Sequence, residues 1–209
     1  MVTKFRNQYS VLFGTGMCIF SGCLGSPAPP PMPSFDPAGS AAAALEQYDA
    51  NQDGKLDAGD LAKCPALAIS LAELDTNGDK ALDTGEIAAR IQSYAEGGVA
   101  RKMFTAQLLL DGRPLDAAEV KFIPEKFMLG AVVEGTGTSN DSGGVTMTSP
   151  GADPPGIGVG FYRVEVSKKD TSGKETVPAK FNTESSVGIE VPAFTTNRSL
   201  STPVISLKR

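Results

Sequence analysis

Two twelve-residue stretches, Asp49–Asp60 (DANQDGKLDAGD) and Asp75–Glu86 (DTNGDKALDTGE), start 26 residues apart and carry oxygen-bearing side chains at the same positions. Positions 1, 3, 5, 9 and 12 are Asp49, Asn51, Asp53, Asp57 and Asp60 in the first, and Asp75, Asn77, Asp79, Asp83 and Glu86 in the second. Asp, Asn and Gly favour turns because their side chains or freed backbones satisfy local hydrogen bonds, so each stretch reads as a loop between two regular elements. Turn chemistry alone does not require the shared spacing, nor the leucine at position 8 of both loops, Leu56 and Leu82.

A hard divalent cation takes six to eight oxygens at about 2.3–2.6 Å, and a loop of this length can supply them from those five side chains and the position-7 carbonyl. Those carbonyls belong to Lys55 and Ala81. Both loops resemble the EF-hand family, in which position 8 of each loop lies in a short antiparallel pairing that couples two sites. The resemblance implies up to two Ca2+ ions. Two departures are expected to matter. Asp60 stands where a bidentate Glu is usual, which shortens the reach of the last ligand of loop one. Lys80 stands at position 6 of loop two, where the turn wants positive φ and a side chain costs on the order of 1 kcal/mol.

The N-terminus reads as a targeting segment. Lys4 and Arg6 precede an apolar run, Val11 to Phe20, too short to span a bilayer as a mature helix and followed by Ser21-Gly22-Cys23. Residues 1–22 are expected to be a signal peptide. Phe20-Ser21-Gly22-Cys23 resembles the lipobox of bacterial lipoproteins, which implies lipid on Cys23 and a membrane partner reached through it. Residues 23–40 then form a linker dense in proline (Pro27, Pro29, Pro30, Pro31, Pro33, Pro37), which favours an extended spacer. Without residues 1–22 the formal net charge moves from −5 to −7, which disfavours nucleic acid and anionic membrane faces as partners. With Cys18 removed and Cys23 capped, Cys64 has no disulfide partner within the chain and is expected to pack as a small apolar residue.

Residues 41–95 read as a helical module. Ala41–Tyr48 enters loop one, and Asp60–Lys63 begins an exit helix that Pro65 interrupts or restarts. Leu67, Ile69, Leu71 and Leu74 supply the apolar side of the next helix, and Ile87, Ile91 and Tyr94 that of the last. No Met lies between residues 41 and 95, whereas calcium sensors that open a groove use a Met-rich one. Calcium is therefore expected to be structural here, in a module with little core of its own.

From Lys102 onward the pattern alternates with period two. Phe104–Leu110, Glu119–Ile123, Val145–Met147, Phe161–Val166, Val187–Val191 and Val204–Leu207 are expected strands, separated by turns at Asp111-Gly112-Arg113-Pro114 and Asn140-Asp141-Ser142-Gly143-Gly144. The expected fold class is α+β multidomain: an EF-hand pair followed by an antiparallel β-sandwich over residues 102–209. Leu110–Leu115, Asn140–Gly144, Gly160–Val166 and Val177–Asn182 resemble the carboxypeptidase regulatory-like, or transthyretin-like, domain of bacterial surface proteins, notably of planctomycete type. That domain brings no catalytic motif.

The chain has no His, which removes His-based triads and imidazole metal sites, and neither a Ser-x-x-Lys nor a Gly-x-Ser-x-Gly arrangement on a strand-to-helix turn. The expected function is a non-enzymatic calcium-binding lipoprotein of the cell envelope. Its β region would be a spacer or a surface for an envelope protein, with no small-molecule substrate. A dockerin-like or carbohydrate-binding module is the alternative, although the absence of Trp and the four Tyr make a poor sugar platform. Gly156–Gly160 precedes a strand and reads as a turn, and Lys168, Lys169 and Lys174 read as a solvated hairpin tip.

Overall fold

The computed structural model describes residues 30–194 and 202–209. The expected signal peptide, Cys23 and the start of the proline-rich linker, through residue 29, lie outside the described residues, among which no helix is long and apolar enough to cross a membrane.

Every helix starts where the sequence supplies a cap or a proline. Helix α1 (Pro37–Tyr48) opens on Asp36, whose carboxylate accepts from Gly39 N, with Pro37 in its first turn, so the helix begins inside the stretch expected to be spacer. Helix α2 (Ala58–Leu61) is a single turn capped by Asp57. Helix α3 (Pro65–Leu74) starts on a proline, after α2 has closed on Ala62. Helix α4 (Thr84–Glu96) carries a capping box in which Asp83 and Glu86 each bond the other's backbone N–H.

The strands are β1 (Lys55–Leu56), β2 (Leu82–Asp83), β3 (Arg101–Lys102), β4 (Phe104–Leu110), β5 (Arg113–Pro114), β6 (Glu119–Pro124) and β7 (Gly135–Thr138). They continue as β8 (Gly144–Met147), β9 (Ile157–Gly158), β10 (Gly160–Ser167), β11 (Gly188–Val191) and β12 (Val204–Leu207). One antiparallel sheet has the order β11-β10-β6-β7. A second is built on β4, with β12 along one side and β8 and β5 sharing the other. The bridge between Thr136 and Thr148 joins the two at their edges, and Phe104 meets Phe122 across them with ring centroids 5.9 Å apart. The six strands expected from alternation are all present. β7 was not expected, because Gly135-Thr136-Gly137-Thr138 carries no apolar alternation. The closing strand also departs from an all-antiparallel arrangement, since β12 runs parallel to β4, Ile205 opposite Leu108. The result is a mixed α+β fold.

The helices pack against the strands. A single buried cluster runs from Ala44, Leu61 and Ile91 through Phe161 and Val164 to Leu207. A chain of rings makes the join, Phe35–Tyr94–Phe161–Phe127–Tyr48, with centroids 5.7–6.5 Å apart. Such pairs each add about 0.5–1.5 kcal/mol beyond area burial. Helix α3 lies on β11 so closely that a Cβ on Gly188 would stand 2.1 Å from Ala66 N. Helix α3 turns one face to this contact. Ala66, Leu67, Ser70 and Leu74 point inward, whereas Ile69, expected in the core, is 65 % exposed.

Polar groups are buried at the same join. Glu190 on β11 accepts from Arg90 Nε and Tyr94 Oη, both at 2.6 Å, and from Ser70 Oγ at 2.8 Å, so one carboxylate holds both helices that flank loop two. On the other side Tyr48 donates to Glu125 Oε2 at 2.9 Å beside the fully buried Cys64. Burial pushes the Cys64 thiol up to about 12, with the Glu125 charge adding to it, so Cys64 is an inert packing residue.

Candidate metal sites in the paired acidic loops

The residues at positions 1 and 9 of each loop are also helix caps. Asp49 ends α1 and Asp75 ends α3, each through its backbone N–H to a carbonyl four residues back (Leu45 and Leu71). At the other end Asp57 and Asp83, the position-9 residues, cap α2 and α4. The helix ends therefore place positions 1 and 9 before any ligand is considered.

Between the caps the two loops share one hydrogen-bond scheme. The position-1 carboxylate accepts from the amides of positions 5 and 6: Asp49 from Asp53 and Gly54, Asp75 from Asp79 and Lys80. The position-3 Asn accepts from the position-5 amide, Asn51 from Asp53 and Asn77 from Asp79. Position 5 accepts from position 7, Asp53 from Lys55 at 3.0 Å and Asp79 from Ala81 at 3.0 Å. Position 12 reaches back to position 2, Asp60 to Ala50 N at 3.1 Å and Glu86 to Thr76 N at 2.8 Å. Strands β1 and β2 pair the loops antiparallel, with Leu56 facing Leu82, both fully buried.

The backbone explains how two different sequences reach one geometry. Each loop needs positive φ at two positions, 4 and 6, and each spends one glycine and one other residue on them. Loop one has Gln52 (φ 58°) and Gly54 (85°), and loop two Gly78 (78°) and Lys80 (66°). The strain expected at Lys80 is present, and loop one carries its counterpart at Gln52, a position that the ligand pattern does not address.

At position 12 the loops differ. Glu86 is engaged through both oxygens, Oε1 by Thr76 N, Thr76 Oγ1 and Asn77 N, and Oε2 by Asp83 N. The shorter Asp60 is 5 % exposed and accepts at Oδ1 from Ala50 N, while its buried Oδ2 has no partner. An unsatisfied buried oxygen costs about 1–3 kcal/mol, more if charged, so Asp60 Oδ2 is an acceptor suited to a cation. With oxygen donors alone, the set fits a hard cation. Among the described residues no group of three or more acidic or cysteine side chains stands gathered as a metal centre, because these carboxylates are turned onto the amides of their own loops. An ion would be held by Asp49, Asn51, Asp53, Asp57, Asp60 and the Lys55 carbonyl in loop one, and by Asp75, Asn77, Asp79, Asp83, Glu86 and the Ala81 carbonyl in loop two.

Two participants are missing from the ligand pattern. Thr76 supports Glu86 through its hydroxyl at 3.1 Å. Lys55 extends its ammonium to Asp79 Oδ2, 2.5 Å away in the other loop. That hydrogen bond, ahead of simple charge attraction, draws the Asp79 carboxyl below its ordinary range. Only the contrast between a lysine at position 7 of loop one and an alanine at position 7 of loop two could have signalled this.

Elsewhere, Asp170 folds a turn that accepts from Ser172 N and Lys174 N, and Lys168 pairs with Asp116, which gives the hairpin tip expected around Lys168, Lys169 and Lys174. A cavity of about 280 Å³ lies between α3, α4 and β11, lined by Ile69, Arg90, Met103, Glu190 and Phe194 among others, and its Arg90 and Glu190 are paired with each other. No protein-family model, curated protein or solved structure matches the chain.

Proposed function

We propose that the chain is a calcium-binding protein of the cell envelope, in which an EF-hand pair holds up to two ions as structural supports of the fold. The observation that carries this reading is the hydrogen-bond scheme repeated position by position in both loops, joined through Leu56 and Leu82. Turns of independent origin would share the local Asx bonds, as the Asp170 turn does, but not the reach of position 12 back to position 2. The unpartnered Asp60 Oδ2 supports it further. A structural role fits better than a trigger, because the face that a sensor pair would uncover is covered here by β10 and β11 and clasped through Glu190. The two sheets serve in this reading as a β-sandwich of transthyretin-like kind, a spacer or a surface for an envelope protein. Cys23, lipidated, would hold the chain to a membrane.

The test is calcium titration by calorimetry and melting. A ligand at a hundred times its dissociation constant stabilises by about 2.7 kcal/mol, which in a chain of this size raises Tm by roughly 5–10 °C. Asp49→Ala and Asp75→Ala are each expected to remove one site. No heat and no melting shift at millimolar calcium would refute the proposal.

A further inference from the structure

We infer that the Lys55 side chain is a tethered competitor of the cation at loop two, so that a residue of loop one sets how tightly loop two holds calcium. This rests on the calcium reading above and adds a regulating residue to it. Lys55 belongs to loop one through its position-7 carbonyl, but the β1–β2 pairing sets it opposite Asp83 and carries its ammonium onto Asp79 Oδ2. Asp79 Oδ1 is already engaged by Ala81 N, so Oδ2 is the oxygen that remains for a cation. The ammonium occupies it, with Asp83 and Glu86 adding attraction.

Loop one has no such occupant. Its equivalent carboxylate, Asp53, accepts from Lys55 N and from the neutral Asn51 Nδ2. The residue that would reach it by symmetry is Ala81, which has no side chain to extend. A calcium ion entering loop one therefore displaces an amide, whereas one entering loop two must displace a positive charge of the protein itself. The handicap falls on the loop with the longer position-12 ligand, Glu86, and so offsets the advantage that Glu86 has over Asp60. Both partners are solvent-accessible, with side chains 47 % and 33 % exposed, so the exchange needs no opening of the core.

The experiment is calcium titration of the purified protein and of Lys55→Met, followed by calorimetry and, loop by loop, by amide NMR. Methionine keeps the stem and the position-7 carbonyl and removes only the charge. Removing one exposed ion pair is expected to raise the affinity of loop two by about two- to fivefold, and by more than that of loop one. Lys55→Arg, which keeps the charge, is expected to stay near the native value. If calcium binds and Lys55→Met leaves loop two unchanged or weaker, the competition is refuted while the calcium reading stands. If neither protein binds calcium, both fall.

Discussion

Gly188→Ala tests whether helices and sheets form one structure. Gly188 opens β11 opposite Arg163, and an added Cβ would lie 2.1 Å from Ala66 N, 2.2 Å from the Pro65 carbonyl carbon and 2.5 Å from Ala66 Cα. These are backbone atoms in the first turn of α3, so no side chain can rotate away. Restoring ordinary carbon contacts needs α3 to retreat by roughly 1 Å. That retreat loosens Cys64, Ala66 and Leu67, all fully buried, and stretches the 2.8 Å bond from Ser70 to Glu190. Small-to-large changes in a packed core cost about 1–3 kcal/mol, and the absence of a yielding partner places this one near 3 kcal/mol. In a chain of about 200 residues that lowers Tm by roughly 6–12 °C. The assay is urea unfolding at fixed calcium, read by far-ultraviolet circular dichroism for the helices and by tyrosine fluorescence from the core. Both signals are expected to shift together in one transition. A loss below about 0.5 kcal/mol, or a helical signal that moves alone, would refute the continuous core and restore two separate domains.

Glu125→Gln is expected to stabilise the protein at neutral pH. Burial holds the Glu125 carboxyl above its ordinary range, with Tyr48, Arg163 and Lys126 pulling it back only in part. The folded state thus binds this proton more tightly than the unfolded chain, whose Glu titrates near 4.3, and stability is lost as pH rises through the folded value. The Tm advantage of the variant should be largest at pH 7 and vanish below about pH 4; an advantage independent of pH would refute the assignment. For the anchor, metabolic labelling with a fatty acid is expected to mark the protein and to fail in Cys23→Ser; equal labelling of both would exclude Cys23 as the lipid site.

The strands were legible because period-two alternation in Phe104–Leu110, Glu119–Pro124 and Gly160–Ser167 is a local property that survives into the sheets. β7 was not, since its Gly and Thr residues hold their place by pairing with β6, a non-local cause. The helices were legible as well, but not their orientation. Ile69 has the composition of a core residue and Ser70 does not, yet Ser70 faces β11 because Glu190 waits there and Ile69 is left in solvent.

The candidate ligands were fixed by spacing alone, since twelve residues that cap two helices can turn in few ways and Asp49, Asp57, Asp75 and Asp83 are those caps. What spacing could not give was the relation between the loops or between the helices and the sheets. Lys55 meets Asp79 because of strand pairing, across 24 positions of chain. A helical segment with too little core of its own joined the sheets through Tyr94, Phe161 and Gly188, because burying those faces against one another removes more apolar surface from water than either could alone. Local hydrogen bonding and periodicity are written in the order of the residues; which apolar face finds which partner depends on distant segments, and that only the tertiary structure decided.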